Sequence, residues 1–313
     1  MISIVVPVYN EESVLLEFYK RTALAMESIS ESAFEIIFVN DGSEDETPNI
    51  IKKLREKDKR VKLISFSRNF GHQIAITAGL RYSKGDAAVI IDVDLQDPPE
   101  LIPKMIDKWK DGYEIVYAVR EKREGETLFK RITAYMFYRL LRLITKEDLK
   151  SDSGDFRLLG RKAVNVFNQL NEKNRYVRGL IHWIGFRQCQ ITYQRRERFS
   201  GKTKYTFGKM LKFALDGITS FSHLPLRLAS YFGLFVSSIC FLYLAYAIAL
   251  KLLTNAPIGG WTSLMTVILF IGGIQLITVG IIGEYIGRIF DEIKNRPLYI
   301  IDENLGFDEV PIK

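Results

Sequence analysis

Ala87-Ala88-Val89-Ile90-Ile91-Asp92-Val93-Asp94-Leu95-Gln96-Asp97-Pro98-Pro99 is an apolar run that ends abruptly in carboxylates and prolines. Ala87–Asp92 reads as a short buried strand that the prolines cannot continue. The same arrangement occurs twice upstream. Ile2–Val8 runs into Tyr9-Asn10-Glu11-Glu12, and Glu35–Val39 runs into Asn40-Asp41-Gly42-Ser43. Helical patterns lie between: Glu12–Ile29, Asn49–Lys57 behind Thr47-Pro48 (a cap followed by Pro at the first helical position), Gln73–Tyr82 and Pro99–Lys110. Further strands are expected at Val61–Phe66 and Glu114–Val119. This alternation predicts an α/β, Rossmann-like, mostly parallel sheet with helices on both faces. In such sheets ligands sit beyond the C-terminal strand ends, so the residues there should disclose the chemistry.

Those residues are acids and amides. No G-x-G-x-x-G follows the first strand, which argues against a dinucleotide-dependent dehydrogenase. Ser200-Gly201-Lys202-Thr203 has the look of a phosphate loop, but Arg196 stands where the first glycine is required, and that reading is rejected. Asp92 and Asp94, two residues apart, would face opposite ways on a straight strand; a strand-to-loop turn brings both toward one cation. Oxygen ligands of this kind suit Mg²⁺ or Mn²⁺, which bridge readily to phosphates, and Gln96 offers a third oxygen. A lone D-x-D is more often a solvated turn, but its place at a strand end favours the metal reading.

The 313 residues carry a formal net charge of +7, unevenly spread. Between Arg195 and Lys212 seven basic residues face one glutamate, and between Arg120 and Lys146 eight face three acids. Two basic patches on a slightly acidic body attract phosphates or anionic lipid. Cys189 and Cys240 make no disulfide framework or metal spacing, and a reducing compartment fits them. Leu228–Leu250 and Trp261–Gly283 are uncharged, each about 34 Å as a helix, enough to cross a hydrocarbon core of about 30 Å. Arg227 before the first, and Arg288, Lys294 and Arg296 after the second, predict that the N-terminal region and the tail both face the cytoplasm. Met1 leads straight into Ile2–Val6 with no basic segment of a signal peptide. The expected organisation is a cytosolic domain over 1–224, a transmembrane hairpin over 225–290 and a tail over 291–313 without an assigned role. Gly273, Gly280, Gly283 and Gly287 form a stripe read as packing against the first span, with contact to a second copy, a homo-oligomer, as the weaker alternative.

Val6–Glu12, Val39–Ser43, Ser67-Arg68-Asn69-Phe70-Gly71-His72, Asp92–Glu100 and Ser153-Gly154-Asp155-Phe156-Arg157 together resemble a GT-A fold, family 2 glycosyltransferase. They are most similar to the polyisoprenyl-phosphate glycosyltransferases, relatives of dolichyl-phosphate mannose synthase, in the bacterial form with two C-terminal membrane helices. The resemblance implies an enzyme of the bacterial cytoplasmic membrane that moves a sugar from a nucleotide diphosphate to undecaprenyl phosphate with inversion. It implies that Pro7, Tyr9, Glu11 and Asp41 hold the nucleotide, that Asp92, Asp94 and Gln96 serve the metal and diphosphate, and that Asp155 occupies the position of the catalytic base. Arg120 and Arg131 match the acceptor-phosphate region. The mannose synthases typically have His where Asp97 stands, which favours UDP-glucose or UDP-N-acetylglucosamine as donor.

The residues add mechanism. An acceptor phosphate has a second pKa of about 6 and is largely deprotonated at neutral pH, so Asp155 is expected to orient rather than to abstract a proton. Residues 127–145 have the spacing of an amphipathic helix lying on the membrane, and a second is expected over 205–223. Arg198, Lys202 and Lys204 form a basic loop able to close over the diphosphates. His72, His182 and His223 have no metal spacing; His72, in a matching loop, is read as packing ahead of a substrate contact, and Trp183 as core rather than a sugar platform. A processive polysaccharide synthase is the enzymatic alternative, but Q-x-x-R-W is absent and two spans are few for a polymer channel. A non-catalytic nucleotide-sugar-binding scaffold would have little need of every expected carboxylate, and nucleic acid suits acidic strand ends poorly. Neutralising Arg131 is expected to raise the acceptor KM in a micellar assay while vesicle flotation stays unchanged; equal loss of both would make the residue a membrane anchor.

Overall fold

The computed structural model describes residues 1–29, 33–120, 153–173, 175–193, 224–254 and 260–307. The chain divides into two compact units, one of residues 1–142, 147–205 and 296–313, the other of residues 143–146 and 206–295.

The first unit is built on β1 (Ile2–Val8), β2 (Phe34–Asn40), β3 (Val61–Phe66) and β4 (Ala87–Ile90), parallel neighbours in the order β4-β1-β2-β3. Every residue of β1 and β2 is buried, as expected of parallel strands covered on both faces. α1 (Leu15–Glu27), α2 (Thr47–Lys57) and α4 (Ile102–Lys110) cover one face, where Phe18, Ile51 and Met105 join Ile4, Val6 and Phe38 in the larger core. α3 (His72–Tyr82) covers the other, setting Ala75 and Ala78 on Ile37 and Val39. The one acid inside β2, Glu35, accepts hydrogen bonds from Ser3 Oγ (2.5 Å) and the Lys84 N–H (3.0 Å) and pairs with Lys62 Nζ at 2.6 Å. Burial alone would push its carboxyl up; these donors hold it below the ordinary value instead.

Beyond β4 the sheet changes character. β5 (Ile115–Arg120), β6 (Ser153–Gly160) and β7 (Gln188–Tyr193) extend it in the order β4-β6-β5-β7, with β6 antiparallel to both neighbours. The sheet is therefore mixed: β4-β1-β2-β3 and the β5–β7 pair run parallel, as expected, while β6 runs against its neighbours. α5 (Arg161–Gln169) follows β6, and α6 (Val177–Trp183) precedes β7.

Several expectations are corrected. The tail, left without a role by the sequence, joins the sheet: Ile301–Leu305 forms β8, antiparallel on the outer edge of β3. Asp302, Glu303 and Asn304 are poor strand formers, so the open edge of β3 sets this pairing and local propensity does not. Thr47 begins α2 rather than capping it, and its hydroxyl accepts the Glu11 N–H at 3.0 Å. Trp183 is 61% exposed, because the apolar stripe of α6 runs through Val177, Leu180 and Ile181 and leaves position 183 outside.

The second unit contains α7 (Leu224–Thr254) and α8 (Trp261–Ile293), whose apolar stretches Leu228–Leu250 and Leu264–Ile293 are long enough to cross a membrane. Both stretches are unburied, and among the described residues nothing covers their exposed Leu, Ile and Phe side chains. A Cβ placed at Gly273, Gly280, Gly283 or Gly287 would meet no described atom within 4 Å.

Gly79 sets the distance between α3 and the sheet: a Cβ there would lie 2.2 Å from Val5 Cγ1 and 3.2 Å from Val39 Cγ2. Both are stiff β-branched side chains in a packed interior. Gly79→Ala is expected to destabilise the first unit by about 1–3 kcal/mol, read by thermal unfolding of the full chain in micelles. An unchanged midpoint would show that α3 can lift off the sheet without cost.

Candidate active site

β1, β2 and β4 are adjacent and parallel, so the loops after them open on the same edge. The chain places β2 and β3 on one side of β1 and β4 on the other. Such a reversal leaves a crevice between the diverging loops. Six sequence candidates line that cleft together: Pro7 near the end of β1, Tyr9 and Glu11 after it, Asp41 after β2, and Asp92 and Asp94 after β4.

Two strained residues fix these loops. Asn10 (φ 55°) and Leu95 (φ 61°) occupy the left-handed region, which costs a non-glycine residue about 1–3 kcal/mol. Asn10 is held by its N–H to Ser43 Oγ (3.0 Å) and by Asn10 Oδ1, which accepts the Glu44 N–H at 2.9 Å. Leu95 is buried, and the following Gln96 N–H donates to Asp94 Oδ1 at 3.1 Å, closing a tight turn that brings Asp92 and Asp94 to one cleft. Gln96 itself is buried and is not part of the cleft wall. Asp97 is buried as well, and its carboxylate accepts a hydrogen bond from the Tyr193 hydroxyl on β7.

Asp41 is clasped by backbone. Its Oδ1 accepts the Phe70 N–H at 2.7 Å, and its Oδ2 the Gly71 N–H at 2.9 Å. Burial pushes its carboxyl up, partly offset by those two amides. The same loop places His72 at the start of α3, with Nε2 3.3 Å from Asp155 Oδ2 and 3.4 Å from Asp92 Oδ1. Asp155, near the start of β6, is gripped on its other side by Arg178 of α6 through Nε (2.7 Å) and Nη2 (2.9 Å), a bidentate pair. Buried Arg157 donates Nη2 to the Gly154 carbonyl at 2.8 Å and steadies the backbone beside Asp155.

The charges sort accordingly. Burial opposes ionisation of Asp155, but His72 and Arg178 overcome it and hold the carboxyl far below the usual range. Burial likewise opposes the charge on His72, but Asp155 and Asp92 push the imidazole up to about 9. Asp92 is pushed up to about 6 by burial and by the Asp155, Asp97 and Asp94 carboxylates, against the pull of His72. Its Oδ1 is buried and makes no hydrogen bond, though it faces the His72 imidazole at 3.4 Å. A hard cation would answer that oxygen, so Asp92 and Asp94 fit the expected divalent ion. Among the described residues no three His, Cys, Asp or Glu side chains converge on one ion, so further oxygens would have to come from elsewhere, the substrate included.

Sequence reasoning missed Arg178 and undervalued His72. His72 lies in a quoted motif, whereas Arg178 sits in Asn174-Arg175-Tyr176-Val177-Arg178, where nothing marks one arginine over the other. Arg120 is the last residue of β5. Arg131, Arg198, Lys202 and Lys204, and the amphipathic segments 127–145 and 205–223, lie outside the described residues.

The chain is 56% identical to the uncharacterized glycosyltransferase YkcC of Bacillus subtilis, over 98% of this chain and 94% of that one. It is 46% identical to the SfII prophage-derived bactoprenol glucosyl transferase of Shigella flexneri, over 97% and 98% respectively. Among solved structures, glucosyl-3-phosphoglycerate synthase from Mycobacterium tuberculosis in complex with Mg²⁺ and uridine-diphosphate aligns at TM-score 0.47 and 17% identity, over 71% of this chain and 79% of that one. Residues 224–289 match the GtrB C-terminal hairpin. With residues 3–167 matching glycosyl transferase family 2 and acid-lined loops on the parallel edge of a GT-A sheet, the chain belongs to that family of glycosyltransferases.

Proposed function

We propose that the chain transfers glucose from a nucleotide diphosphate sugar, with UDP-glucose the preferred donor, to the phosphate of a polyisoprenyl lipid such as undecaprenyl phosphate. The observation that carries this reading is the acidic cleft at the strand ends, with a buried Asp92 oxygen that makes no hydrogen bond. An uncompensated wall of carboxylates would repel a diphosphate; with a cation on Asp92 and Asp94 the same wall recruits one. A bound Mg²⁺ or Mn²⁺ would stabilise the charge that develops on the departing diphosphate. Glucose and the lipid acceptor are favoured by the bactoprenol glucosyl transferase relative, which matches over nearly the whole length of both chains.

In this reading Pro7, Tyr9, Glu11 and Asp41 hold the base and ribose. An acceptor phosphate oxygen forms the new bond to the anomeric carbon on the face opposite the breaking bond, and the nucleoside diphosphate leaves with the electron pair. The configuration inverts. Asp155, kept ionised between His72 and Arg178, is a weak base and serves to orient. Arg120, Arg131, Arg198, Lys202 and Lys204 are assigned to the acceptor phosphate and the diphosphates, and the basic segments to an anionic membrane surface.

Connectivity supports a hairpin topology. The chain leaves the sheet unit before α7 and returns after α8 to place β8 in the same sheet. An even number of crossings, with the catalytic unit and β8 both on the cytoplasmic side, accounts for this.

Purified full-length protein incubated with undecaprenyl phosphate, Mg²⁺ or Mn²⁺ and a panel of nucleotide sugars should yield a glucosyl phospholipid, identified by mass. Chelation should abolish turnover, and Asp94→Ala should lower it about 10²-fold or more. Undiminished turnover by Asp94→Ala would end the proposal. Asp155→Asn should lower kcat at every pH across the neutral range. Activity kept above about pH 7 and lost below it, near the second pKa of the acceptor phosphate, would instead assign Asp155 to proton handling.

A further inference from the structure

The C-terminal segment lies on the edge strand whose loop serves the donor cleft. β3 ends at Phe66, and Ser67–His72 then carries the two amides that clasp Asp41 and the imidazole that meets Asp155. On its outer side this loop is met by the tail. The Ser67 N–H donates to the Ile300 carbonyl at 3.0 Å, just past a register shift between Ser65 and Phe66 that re-aims the strand end. Tyr299 stacks on Phe66 with ring centroids 5.0 Å apart and planes 18° apart, and Phe66 meets Phe70 edge-on at 5.7 Å. One chain of contacts thus runs from Tyr299 through two phenylalanines to the Phe70 amide on Asp41.

The loop has little room to move elsewhere. Gly42 (φ +72°), next to Asp41, lies so close beneath it that a Cβ there would fall 2.5 Å from the Arg68 carbonyl carbon and 2.7 Å from the Asn69 nitrogen. A shift of the loop is therefore felt at Asp41.

We propose that Tyr299 and Ile300 are positioning residues for the donor site, holding Ser67–His72 in the conformation that presents its amides to Asp41 and His72 to Asp155. Tyr299 does not line the cleft. Its ring is what counts: the contact with the loop is the stack on Phe66, which phenylalanine would keep. β8 is anchored separately, by Glu303 to Lys52 at 2.6 Å and by Phe307 against Tyr82 at 5.2 Å. Removing the Tyr299 ring therefore leaves β8 on β3.

The kinetic arm of the test rests on the glycosyl-transfer reading; the exchange arm does not. Hydrogen–deuterium exchange is measured on the full-length protein in micelles. Tyr299→Ala should speed exchange at Ser67–His72 about three- to tenfold while β8 stays protected, and Tyr299→Phe should match the wild type. The donor KM of Tyr299→Ala should rise by a similar factor with the acceptor KM unchanged. Unaltered loop exchange, or release of β8 together with the loop, would overturn the proposal, as would a parallel rise in both KM values. If the wild type turned over no nucleotide sugar, the functional reading would fail and the exchange result would still decide the role of Tyr299.

Discussion

Repulsion among carboxylates gathered at one edge of the sheet is the constraint around which the first unit is arranged. Glu11, Asp41, Asp92 and Asp94 line one cleft, and Asp155 lies within reach of the same His72 as Asp92. Two unit charges 4 Å apart repel by about 4 kcal/mol at the effective dielectric of a protein surface, so several such pairs would rival the stability of a domain. The structure answers each acid differently. Asp41 takes backbone amides, Asp155 takes Arg178 and His72, and Asp94 takes the Gln96 amide. Asp92 keeps an oxygen with no hydrogen bond. Asp92 is thus the cleft acid answered by charge alone, from His72 at 3.4 Å, without a hydrogen bond to that oxygen.

The supporting elements follow from this arrangement. α3 must come close to the sheet to deliver His72, and Gly79 permits it. β6 must run antiparallel beside β4 for Asp155 to reach the cleft from the other side, which explains why the sheet abandons parallel order there. Left-handed Asn10 and Leu95 turn the chain sharply enough to leave acids, rather than apolar strand residues, on the cleft wall. Strain of this kind survives only where surrounding contacts over-determine it, and both sites have such contacts.

The tail adds a link between the two ends of the chain. β8 closes the outer edge of β3, which protects an otherwise open strand, and its approach segment packs against the aromatic residues behind the donor loop. A segment with the composition of a solvated appendage becomes part of the sheet because edge hydrogen bonds accept any side chain that can point outward. Composition is therefore a poor guide at an edge.

By itself the sequence determined the alternation of strands and helices, the acids at the ends of β1, β2 and β4, and two apolar helices of membrane-crossing length. Each of these is a local property: periodicity, strand-end chemistry and hydropathy need no distant partner. Only the tertiary structure decided that Arg178 clasps Asp155, that His72 sits between two carboxylates, that Asp97 turns away to Tyr193, and that the tail is a strand. Those are long-range pairings, between residues about 20 to 240 positions apart, and no spacing rule encodes them. They follow from which strand lies beside which, a choice made by the packing of the whole sheet.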